Sequence, residues 1–87
     1  MKFNTKNVTI RDTDFEVREL SIKQLMPIIR EMDTNPEEGQ MQLLAASVYV
    51  DGVALGADFE DLPASLMMQL APHVMEVNNL DDSEEKS

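Results

Sequence analysis

At 87 residues the chain holds one domain at most, near the lower size at which a single core persists without disulfides or metals, so help from a partner is expected. The absence of cysteine excludes disulfide scaffolds, thiolate zinc sites and cysteine nucleophiles, and fits a reducing compartment, with cytoplasm the expected location. A net charge of −10 disfavours nucleic acid and anionic lipid, whose phosphates need clustered Lys and Arg, and leaves a basic protein partner or solubility as its use.

The charge is unevenly placed. Residues 1–30 carry six bases against four acids, about +2, and the remainder carries thirteen acids against one lysine, about −12. With 43% hydrophobic residues but no Trp, one Tyr, three Phe and seven Met, the core is expected to be aliphatic and methionine-rich. The opening MKFNTKNVTI has no apolar run of the secretory kind, and no stretch is long enough to span a bilayer.

Between residues 2 and 20 the apolar positions Phe3, Val8, Ile10, Phe15 and Val17 alternate loosely with polar ones, the period of strands. The polar Arg11 to Asp14 supplies a turn, so the expectation is an antiparallel hairpin docked on helices, since two strands alone are marginal in water. Ser21 with Gln24 three residues on forms a capping-box pattern, and Ile22, Leu25, Met26, Ile29 and Met32 follow at helical spacing. Pro27 either kinks this helix, placed at about 21–32, or starts it afresh. Asp33 to Gly39 reads as a loop, although Asn35, Pro36 and two glutamates make an N-cap, an N1 proline and acids suited to the dipole, so a helix over about 36–50 is expected.

Met41 to Val50 is apolar on most sides, which makes it the central helix. Val48, Tyr49 and Val50 also suit a strand, but the lack of alternation and the small Ala45-Ala46 pair favour helix packing. Asp51-Gly52 is a turn and Val53 to Ala57 runs extended. Asp58 caps a short turn, and Leu62, Leu66, Leu70, Val74 and Val77 form the stripe of a helix placed at about 58–79, which Pro72 kinks or divides. Asn78-Asn79 closes it. The fold expected is therefore α+β, mainly α: an N-terminal two-stranded hairpin packed on a bundle of three to four helices over residues 1–80, with a disordered acidic tail over 81–87.

No constellation for catalysis stands out. His73 has no cysteine or second histidine to share a metal, and Ser21, Ser47 and Ser65 lack a nucleophile turn. Asp51, Asp58, Glu60 and Asp61 lack calcium-loop spacing, and the last three read as first-turn helix acids. Catalytic, cofactor and metal sites are all expected to be absent, and the chain is not expected to be an enzyme. Met67, Met68 and Met75 on the last helix serve either the core or an adaptable partner surface. Consecutive Met67 and Met68 cannot both face one small core, so at least one is peripheral.

The order of these features resembles a family. A charged strand pair, the Val17 to Leu20 step into a helix, LLAASVYVDG, the Asp58 to Pro63 helix start and a closing VNNL together are similar to the small tail assembly chaperones of long-tailed bacteriophages. The resemblance implies a non-catalytic protein of the host cytoplasm, absent from the finished virion. Such a protein holds the helical tape measure protein soluble before the tail tube polymerises, with the tail tube protein as a further possible partner. It also implies a longer frameshifted form and self-association. Leu66, Met67, Leu70, Val74 and Met75 are the expected partner-binding residues. Two other readings compete: an acidic interaction or inhibitor protein that mimics nucleic-acid charge, which needs carboxylates arrayed over a folded face, and a small carboxylate-dependent hydrolase, which needs paired acids in a pocket.

Overall fold

A computed structural model describes residues 2–80, and the acidic tail expected over 81–87 lies outside the described residues. Two hairpins with a helical pair inserted between them build one sheet. Strands β1 (Thr5–Ile10) and β2 (Thr13–Arg18) pair antiparallel in a register that sets Val8 opposite Phe15 and Lys6 opposite Val17. The turn is tighter than the four polar residues implied: only Arg11 and Asp12 lie outside the strands, with φ of 54° and 64°. Positive φ at both positions is the type I′ geometry whose twist matches that of the strands.

Helix α1 (Ile22–Thr34) begins on the capping box read from the sequence, with the Ser21 hydroxyl accepting from the Gln24 N–H and the Gln24 side chain accepting from the Ser21 N–H. It continues through Pro27 rather than ending there. Asn35 is the whole connection to α2 (Pro36–Ser47): its N–H donates to the Glu31 carbonyl at 2.7 Å, and its side chain accepts from the Glu38 N–H at 3.3 Å. The expected loop over Asp33 to Gly39 is thus one residue long. Gly39 is no loop residue but a buried helical contact, because a Cβ there would meet the Met32 backbone nitrogen at 2.7 Å.

The helix expected to run to Val50 stops at Ser47. Val48–Val50 is strand β3, paired with β2 through Val17 and Val48 and through Glu16 and Tyr49, and it turns at Asp51-Gly52 into β4 (Val53–Ala54). Asp51 and Gly52 have φ of 55° and 81°, a second turn with both central residues left-handed. The two-stranded hairpin of the sequence reading is therefore a four-stranded antiparallel sheet in the order β1-β2-β3-β4. The architecture is α+β.

The expected helix over 58–79 is two elements. A 3-10 helix, Gly56–Asp61, sets Phe59 in the core at 2% exposure, and Pro63 separates it from α3 (Ala64–Val77), which runs through Pro72. Helix α3 lies along the β1-β2 hairpin from tip to base. The Arg11 guanidinium at the tip donates to the Ser65 hydroxyl, Lys6 pairs with Glu76 at 2.7 Å, and the Asn4 amide donates to the Val77 carbonyl at the base. The helix closes in a Schellman motif: Asn79 is left-handed at φ 58°, and the Leu80 and Asn79 N–H groups donate to the Met75 and Glu76 carbonyls. Phe15 and Val17 of the sheet, Leu43, Leu44 and Val48 of the centre, and the α3 stripe meet in a single core.

Candidate functional site

Leu66, Leu70 and Val74, three of the five side chains expected to meet a partner, are 5%, 0% and 0% exposed. Their period was legible, but the face they define packs into the core with Phe15 and Val17 of the sheet. Met67 and Met75 are half-buried at its edges, and Met68 is 70% exposed. Consecutive helical residues diverge by about 100°, so the one methionine leans inward and the next points out. Met67 also lines a depression of about 310 Å³ with Met41, Glu37 and Gln40 of α2, giving a methionine edge across two helices with acid beside it.

Helix α1 departs further from its sequence pattern. Ile28, outside the expected stripe, is buried, whereas Ile22 is 81% and Met26 44% exposed. At 100° per residue the six apolar side chains of α1 span about 160°, wider than one packing contact covers, and Ile22 and Met26 fall at its outer limit. That width was the available signal. Phe3, 50% exposed, sits with Ile22, Lys2 and Lys23 around a depression of about 420 Å³. On the opposite side of α1 a groove of about 510 Å³ runs between α1, α2 and the 3-10 helix. Its lining includes Ile28, Tyr49 and small residues such as Ala45 and Ala57, and its charged members are Glu38 and Glu60.

The polar residues weighed for chemistry have structural partners instead. Ser21 caps α1, the Ser47 hydroxyl accepts from the buried Asn78 amide, and the Ser65 hydroxyl accepts from Arg11. Asp58 lies in the first turn of the 3-10 helix without capping it, Glu60 and Asp61 follow within that helix, and the first turn of α3 holds no acid. The cap reading of these three is corrected: the break at Pro63 separates them from the α3 terminus. His73 is half-buried one turn before Glu76. Among the described residues no group of three or more His, Cys, Asp or Glu is placed to hold a metal ion.

Two ion pairs shape the local electrostatics. Lys6 donates to Glu76 and holds its carboxyl below the ordinary value of 4.5, with the same lysine's charge as the next cause. Arg18 donates to Glu16 at 2.9 Å, which raises the guanidinium pKa, and lies 3.9 Å over the Tyr49 ring on the outer face of the sheet. Lys6–Glu76 is exposed and Arg18–Glu16 half-buried, and both serve more to orient side chains than to stabilise.

No protein-family model, curated protein or solved structure matches this chain. No helix among the described residues is long and apolar enough to cross a membrane.

Proposed function

We propose that this chain is a non-catalytic tail assembly chaperone of a long-tailed bacteriophage, holding the tape measure protein soluble in the host bacterial cytoplasm until the tail tube forms around it. The observation that carries the reading is the set of surface methionines, half-buried Met67 and Met41 around one depression and Met68, next to Met67 in sequence, 70% exposed, on a chain of net charge −10. A thioether is flexible and polarisable, so it adapts to the varied apolar faces of a long helical client, and surplus negative charge keeps the joint complex dissolved. Since Leu66, Leu70 and Val74 are interior, contact is assigned to Met67, Met68 and Met41, with Met75 at the margin.

Co-expression with a tape measure fragment tests this directly. The wild-type chain keeps the fragment in the soluble fraction. Met68→Glu, at an exposed position where the fold is indifferent, cuts co-purification about fivefold, as expected for a contact of about 1 kcal/mol, and Met68→Leu retains it. Equal recovery with Met68→Glu excludes this edge as the client surface.

A further inference from the structure

Helix α2 is apolar on most sides, and the core covers only part of it. Leu43 and Leu44 are fully buried, whereas Met41, Ala45 and Ala46 are half-buried and line the groove of about 510 Å³. The lining positions of α2, Glu38, Met41, Gln42, Ala45 and Ala46, recur every three or four residues and so form one face about 12 Å long. Gln24 and Ile28 of α1, one turn apart, border it, as do Ala57 and Glu60 of the 3-10 helix. Helical backbone groups bond within their own helices and offer nothing for a strand to pair with. Such a surface recognises its occupant by side-chain packing, the mode in which an amphipathic helix lies in a groove.

We propose that this groove takes a cationic amphipathic helix of a partner, its apolar face against Met41, Ala45 and Ala46 and its Lys or Arg side chains reaching Glu38 and Glu60. Charge complementarity selects that occupant. Glu38 and Glu60 are exposed, and among the described residues no Lys, Arg or His lines the groove. Gln42 donates to the Glu38 carboxylate at 3.3 Å and leaves its charge uncompensated. Arg18, stacked on the Tyr49 ring, is paired with Glu16. Lys23 and Arg30 project about 120° or more around α1 from the midpoint of Gln24 and Ile28. The sequence beyond Leu80 adds Asp81, Asp82, Glu84 and Glu85 against Lys86, the wrong sign to fill the groove from within the same chain. Alanine side chains let a helix backbone approach closely. The source of the helix rests on the client reading: Met41 lines both this groove and the methionine depression, so the two surfaces are continuous. The groove then selects basic amphipathic segments of the client over acidic ones.

Fluorescence anisotropy with a labelled synthetic peptide of about four helical turns provides the test. The peptide carries Leu and Ala along one face and Lys elsewhere. One control replaces Lys by Glu, and a second scrambles the sequence, so that the charge stays and the apolar face is lost. The amphipathic cationic peptide binds the wild-type chain with a Kd of about 10–100 μM, as expected of a small contact, and weakens with salt. Both controls bind about tenfold more weakly or worse. Ala57→Arg, which sets a cation at the groove, cuts affinity about tenfold, and Glu38→Gln with Glu60→Gln cuts it about fivefold. These positions are exposed, and unchanged circular dichroism verifies the folds. The assay contains no client, so its failure leaves the co-purification test of Met68→Glu standing, and the reverse also holds. Scrambled and amphipathic peptides that bind within about twofold of each other, wild-type affinity in Ala57→Arg, or a wild-type dimer that the peptide dissociates, which would make a second copy the occupant, each overturn the proposal.

Discussion

Asn78 is 7% exposed and ties three segments together with one amide. Its carbonyl oxygen accepts from the Leu20 N–H at 2.8 Å, and its nitrogen donates to the Val74 carbonyl at 3.0 Å and to the Ser47 hydroxyl at 3.5 Å. Leucine has a similar shape but accepts nothing. Asn78→Leu leaves the buried Leu20 N–H and the Ser47 hydroxyl unpaired, and urea unfolding should show a loss of about 2 kcal/mol. In the sequence this residue read only as the end of a helix, because a side chain reaching a residue far along the chain leaves no local trace. The caps at Ser21 and Asn35 were legible for the opposite reason, since donor and acceptor are three residues apart. Glu76 adds a pH dependence. Its folded pKa lies below the ordinary 4.5, so its contribution is present above that value and is lost as pH falls through the folded pKa. Glu76→Gln should therefore lower the melting temperature slightly at neutral pH, and the difference from wild type should shrink as the pH is taken below the ordinary carboxylate value.

At the scale of elements, the main departure from the sequence reading is the strand Val48–Val50. It follows α2 without a linker, so the apolar run looked like one helix. Yet Val-Tyr-Val before Asp-Gly and Val-Ala after it is a short-range hairpin signal in its own right, and Asp51 and Gly52 adopt the left-handed pair that such a turn requires. A Cβ at Gly52 would meet nothing within 4 Å, so the demand there is conformational alone, at φ 81°. Gly52→Val should cost about 1–2 kcal/mol by urea denaturation, whereas Gly52→Asn stays near neutral. Helix α1 shows the converse limit of pattern reading. Spacing identified the helix, but six apolar residues over a wide arc did not say which of them faced inward, and the packing against α2 selected Ile28 over Ile22.

Taken as a molecule, the chain has one core to which every element but the exposed β4 contributes, from Phe15 of the first hairpin to Val77 of the last helix. Partial unfolding would strand that core, so the transition should be all-or-none. Tyr49, the single tyrosine, sits in β3 between β2 and β4, and there is no tryptophan to obscure it. Its fluorescence and far-UV circular dichroism should give the same urea midpoint; separate midpoints would reveal an independent helical pair. The sequence by itself determined what local chemistry determines: the α+β class, the first hairpin, the capping box, the Asn35-Pro36 junction, the period of the last helix and the end of that helix at Asn78-Asn79. Only the tertiary structure decided that β3 completes a sheet, that Gly39 lets two helices touch, that Leu66, Leu70 and Val74 are interior, and that Ile22, Met26 and Met68 are outside. Hydrogen bonds three or four residues apart and apolar periods are written along the chain. Which of several apolar faces is covered depends on what arrives from elsewhere in it.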